Sequence, residues 1–122
     1  ARVSPQRYLA DSSAAVAAVN DFSEALAELA PTPRRPALLA AAPRLEDALD
    51  RTVAIAGRIE AQRLEDRRLE EQRARASAAL DAVITEMSLV ADAATAGDPI
   101  DMAASAGRYA SSVADLRILT AP

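Results

Sequence analysis

Apolar positions in the first quarter of the chain follow a helical beat. Tyr8, Ser12, Ala15, Val19, Phe22, Leu26 and Leu29 recur at alternating steps of four and three, which places them on one face of an α-helix. Ser4 and Pro5 supply an N-cap and a proline at the first helical position, where no N–H is needed. A helix is therefore predicted over about 5–30, ending before Pro31. Three prolines in the six residues Pro31 to Pro36 fix φ and disfavour helix in the residues preceding them, so this stretch reads as a stiff connector. A second helix is expected over about 37–62, with a break or kink at 43 where the ring of Pro43 opposes continuation. Leu38 and Leu39 read as a cap on one end of the core.

From Arg44 to Ala96 there is no proline and a single glycine, Gly57, so propensity alone favours helix throughout. Its apolar positions form two seams that are out of phase. Leu45, Leu49, Thr52, Ala56 and Ile59 make the first; Leu69, Ala76, Leu80, Val83, Met87, Val90 and Ala94 make the second. One straight helix leaves half of each seam exposed. Breaking it near 62–68 loses about four hydrogen bonds at ~1 kcal/mol each, whereas burying five more apolar side chains returns ~1.5–3 kcal/mol apiece. The sequence thus predicts an all-α, up-down four-helix bundle, its later helices over about 68–96 and 99–119. The alternative is a long continuous middle helix with flanking helices, completed by dimerisation.

The final boundary is the sharpest. Gly97 suits a left-handed helix end, Asp98 an N-cap and Pro99 a first helical residue. Met102, Ala106, Tyr109, Val113 and Leu116 continue as one seam, and Gly107 reads as a point of close helix packing. Between the two middle seams, Gln62 to Arg75 is dense in charge of alternating sign and reads as a solvated helix or helical tip. Glu60/Arg63, Glu65/Arg68, Glu70/Arg73 and Glu71/Arg75 stand at helical pairing distances there.

At 122 residues the chain suits one domain, 1–122, and its alanine-dominated apolar set favours close-packed helices. The 14 basic residues are all arginine and are outnumbered by 18 acidic ones, for a net charge of −4. Without a clustered positive face or stacking aromatics, the balance argues against nucleic acid as a partner. No apolar run approaches the length needed to span a bilayer, so no membrane insertion is expected of these residues.

Candidate chemistry is sparse. With no histidine and no cysteine, the Glu-x-x-His dimetal motif of helical bundles, thiolate metal sites and the usual nucleophile–base pairs are all unavailable. Glu24 with Glu28 and Glu46 with Asp50 share helix faces but read as solvated charge. Ser12, Thr52 and Ser112 lie at or near core positions, where a hydroxyl bonds the carbonyl one turn back. No catalytic residue, metal ligand or cofactor is expected. Arg34, Arg35, Arg63, Arg67 and Arg68 are the candidate contact residues for a protein partner or a homodimer.

The Ala96-Gly97-Asp98-Pro99 turn, the run from Arg73 to Asp81 and the Tyr8-Leu9-Ala10-Asp11 start resemble uncharacterised alanine-rich helical domains of secreted or lipid-anchored proteins from GC-rich Gram-positive bacteria. The resemblance implies an extracytoplasmic location, with a cytoplasmic one as the alternative, and no activity. The expected function is a non-enzymatic interaction or structural module. The alternative is a sensor or carrier bundle that holds an apolar small molecule between helices near Tyr109 and Met87.

Overall fold

The computed structural model describes residues 2–120. Four helices account for nearly all of them: α1 (Pro5–Ala27), α2 (Arg35–Ala61), α3 (Arg67–Ala96) and α4 (Pro99–Thr120). Outside them, an isolated parallel β-bridge joins Arg2 to Arg63, and the Val3 amide donates to the Arg63 carbonyl at 2.9 Å. Short connections make consecutive helices antiparallel neighbours, giving the up-down four-helix bundle expected from the two seams. The long continuous middle helix is ruled out, because α2 ends at Ala61 and α3 begins at Arg67.

Local chemistry sets most boundaries. The Ser4 hydroxyl accepts from the Arg7 amide at 3.2 Å, and the Asp66 carboxylate accepts from the Leu69 amide at 3.0 Å. Gly97 adopts φ 65°. Around it the Asp98 amide donates to the Ala93 carbonyl at 3.0 Å and the Gly97 amide to that of Ala94 at 3.1 Å, closing α3 in a Schellman motif. Asp98 then caps α4, its Oδ1 accepting from the Ile100 and Asp101 amides at 3.0 and 3.2 Å.

Several expectations need correction. α1 stops at Ala27, short of residue 30, and the Leu29 amide donates to the Leu26 carbonyl in a tighter turn that leads into the prolines. α2 begins at Arg35, with Pro36 in its first turn, and runs through Pro43 without a break. Pro43 and Leu39, whose carbonyl loses its helical partner, both face solvent, so water can satisfy the freed group. Only Leu38 of the leucine pair is buried, at 0% exposure against 40% for Leu39. Gly107 is exposed, and a Cβ there would meet nothing within 4 Å, so close packing within the bundle does not explain it.

The core runs the length of the bundle. Phe22, Leu38, Leu45, Thr52, Val83, Met87 and Val90 are its largest fully buried side chains, interleaved with alanines such as Ala15, Ala48, Ala56 and Ala94. The Thr52 hydroxyl donates to the Ala48 carbonyl at 2.7 Å, the back-bond expected of a core hydroxyl. The packing is closest between α1 and α2, α2 and α3, and α3 and α4, whereas α1 and α4 approach one another far less closely.

Candidate interaction surface

The five candidate arginines divide between two ends of the molecule. Arg34 and Arg35 lie where α2 begins and α3 ends, while Arg63, Arg67 and Arg68 lie at the opposite end, where α2 gives way to α3. The 27 residues of α2 separate the groups by about 40 Å. All five are exposed, but they do not form one surface. Arg35 Nη1 donates to the Ala96 carbonyl at 2.7 Å, so it helps close the end of α3. Arg63 Nη1 donates to the carbonyls of Glu60 and Gln62 at 2.7 and 2.6 Å. Arg67 donates to Glu71 at 3.3 Å.

Sequence reasoning missed Arg73. It was expected on a solvated face, yet it is 5% exposed. Its Nε and Nη2 grip both oxygens of Glu70 at 2.9 and 2.5 Å, and Nη1 reaches the Ile59 carbonyl at 3.1 Å. Glu70 also accepts from the Leu64 amide at 2.9 Å. Leu64 itself is buried, so this node ties the α2–α3 turn to the ends of both helices. Its partners are satisfied within the fold, which makes it a structural element.

Of the acidic candidates, Glu24 and Asp50 are exposed and the other two have partners within the fold. Glu28 pairs with Arg44, and Glu46 accepts from the Thr95 hydroxyl at 2.8 Å. Among the described residues, no three side chains of metal-ligating type come together, and no helix is long and apolar enough to cross a membrane.

Open space lies between α1 and α4, between α3 and α4 beside Leu89 and Arg108 (about 410 Å³), and at the α2–α3 turn beside Val3 and Leu64 (about 470 Å³). Within the core, a cavity bordered by Tyr8, Ile59 and Leu80 measures about 10 Å³, room for one water. Met87 is completely buried. Between α1 and α4, by contrast, a groove of about 300 Å³ runs between Ser23, Leu26 and Ala27 on one wall and Ala106, Tyr109 and Ala110 on the other. Past Leu26 and Ala106 it widens into a hollow of about 520 Å³ lined by Leu29, Pro31, Pro33, Ile100 and Met102.

The groove has a physical cause. Helix separation follows the bulk of the side chains at the contact, and this seam holds two of the three aromatics. Phe22 and Tyr109 pack with ring centroids 5.0 Å apart. The Tyr109 hydroxyl donates to the Val19 carbonyl at 3.1 Å and accepts from the Ser23 hydroxyl at 2.6 Å. Burial raises the Tyr109 pKa, with the Ser23 hydrogen bond opposing. This wedge holds α4 away from α1, and the alanines lining α4 leave the gap unfilled. Polar contacts clasp the helix pairs from outside, α1 to α2 by Arg51–Asp21 and Arg58–Asp11 at 2.9 and 3.4 Å, α3 to α4 by Arg108–Glu86 at 3.1 Å, and α4 to α1 by Arg117, at the edge of the groove, donating to Asn20 at 3.4 Å.

Two apolar side chains of α4 stand in solvent, Ile100 on the rim of the hollow and Ile118 outside the groove. Ile100 and Ile118 are 82% and 75% exposed, the highest among the large hydrophobic residues of the described chain. Eighteen residues apart, they are five helical turns from each other and share one flank of α4. That flank was legible from spacing alone, but a single core-facing seam was assigned to the helix. Compared with known protein families, with curated proteins and with solved structures, the chain matches none.

Proposed function

We propose that this domain is a non-enzymatic interaction module that makes its contact through the open seam between α1 and α4. The observation that carries this reading is a largely apolar groove left where an up-down bundle would close on itself, with the exposed Ile100 on the rim of its hollow. Exposed contiguous apolar surface is costly in water and marks contact sites. The residue types support the non-enzymatic part, since the chain has neither histidine nor cysteine. An extracytoplasmic setting, secreted or membrane-anchored, rests on the compositional resemblance, and fractionation of the native cells tests it.

The contact surface is tested by a photo-crosslinking amino acid placed at Ala103 or Ala110 in the groove, with Asp50 on α2 as control. Specific adducts are expected from the groove positions and not from the control. Equal labelling at all three would remove the reading. A carrier of an apolar small molecule is the second reading, because the groove beside Tyr109, about 300 Å³, reaches the lower end of ligand-site volumes. Solvent extraction of the purified chain followed by mass spectrometry distinguishes them: a compound recovered at one per chain favours the carrier.

A further inference from the structure

We propose that Arg35 is a positioning residue for the hollow at the end of the α1–α4 groove, a clamp that holds the two walls of the hollow apart. Such a clamp shapes the site whatever fills it, so it does not depend on the contact reading.

Arg35 is out of place in its own helix. It is the first residue of α2, whose start has no side-chain cap and whose first turn holds no acidic residue, and a cation there faces the positive end of the helix dipole. The end of α3 has the opposite need. Its last turn carries no basic residue, and a cation near a helix C-terminus is favoured, since it can bond the last carbonyls. The fold joins the two: Arg35 Nη1 donates to the Ala96 carbonyl at 2.7 Å, across 61 residues of sequence. Gly97 makes room for this contact. A Cβ there would meet Arg35 Cγ at 2.7 Å and Nη1 at 3.0 Å, so the arginine lies directly across the α3–α4 turn.

Both walls of the hollow start from that clamp. One wall is Leu29, Pro31 and Pro33, leading into α2; the other is Pro99, Ile100 and Met102, following the Gly97 turn. Pro33 stands two residues before Arg35, and Pro99 two residues after Gly97. Proline fixes φ on each arm, which leaves the junction to set how far apart the arms stand. Leu38, one turn into α2, is fully buried and anchors the helix, and Arg35 carries that anchorage out to the connector. Apolar walls in water gain by closing on each other, because closure removes their surface from solvent. Held apart, they enclose about 520 Å³ in a shape that needs no ordering before it is filled.

The natural chain contains no cysteine, so spin labels can be placed in pairs. Thr32→Cys with Ile100→Cys puts one label on each wall, and Arg7→Cys with Arg68→Cys labels exposed positions at the far end of the bundle. Pulsed electron resonance reads both distance distributions, with circular dichroism confirming that each variant is folded. In Arg35→Met the 32–100 distribution is expected to move to shorter distances and to broaden about twofold as the connector regains ordinary loop mobility, while the 7–68 distribution stays unchanged. Arg35→Lys keeps an apolar stem over Gly97 and a donor for the carbonyl, and should leave the 32–100 distribution narrow. An unchanged 32–100 distribution in Arg35→Met would overturn the clamp. Equal broadening of both pairs would overturn it too, since that is the mark of a bundle loosened throughout. If groove positions crosslink to nothing while the distances behave as expected, the contact reading fails and the clamp stands.

Discussion

At the scale of single residues, the interaction that best shows the limit of pattern reading is Arg73 with Glu70. Glutamate and arginine three apart on a charged helix describe an ordinary surface pair worth a few tenths of a kcal/mol. What buries Arg73 is the carbonyl of Ile59, fourteen residues earlier, which reaches it only after the α2–α3 turn has closed. Hydrogen bonds from Arg73 first and the Leu64 amide second hold the Glu70 carboxyl at about 2, well below the usual 4.5. A carboxyl lowered on folding contributes stability above its unfolded pKa and loses it as pH falls through the folded one. Glu70→Gln should therefore melt lower than the natural chain at pH 7, with the gap narrowing as pH falls from 4.5 to about 2. Melting curves across that range check it, and a gap independent of pH would show that the charge is not what matters.

At the scale of elements, caps and breakers were mostly legible because they act within a few residues of themselves. Ser4, Gly97 and Asp98 each meet partners close in sequence, as does Asp66, a cap that the charged run around it concealed. Pro43 was misjudged because the cost of its missing N–H depends on whether the orphaned carbonyl faces water, which only packing decides. Two glycines give opposite predictions. At Gly97 a Cβ would stand 2.7 Å from Arg35 Cγ on a left-handed backbone, so Gly97→Ala should cost about 1–2 kcal/mol. At Gly107 a Cβ meets nothing, and Gly107→Ala should add about 0.8–1 kcal/mol of stability to the isolated bundle. Urea unfolding at low protein concentration measures both, and the same sign for the two would contradict the placement of Gly97.

At the scale of the whole molecule, the close contacts join helices that are consecutive in the chain. Local topology of this kind closes small loops first and folds quickly. The main refolding phase should be complete within milliseconds in stopped-flow fluorescence of Tyr8 and Tyr109, followed by a minor slow phase from the seven prolines, whose bonds isomerise in the unfolded chain. A main phase lasting seconds would mean that the α1–α4 contact, the most distant in sequence, forms before the others.

The sequence by itself determined the class of fold, the four helices and the face each one buries, because helical periodicity, proline and glycine act through neighbours three or four residues away. Two seams out of phase favoured a bend near 62–68 but left a straight helix completed by a partner open, and the structure decided between them. Tertiary structure alone decided which seam stays open and which charges go inside. Both depend on residues remote in the chain: Phe22 meeting Tyr109 across the α1–α4 gap, and Arg73 meeting the end of α2. No local spacing encodes the distance between two helices, because that distance is set jointly by the side chains that both of them bring to the contact.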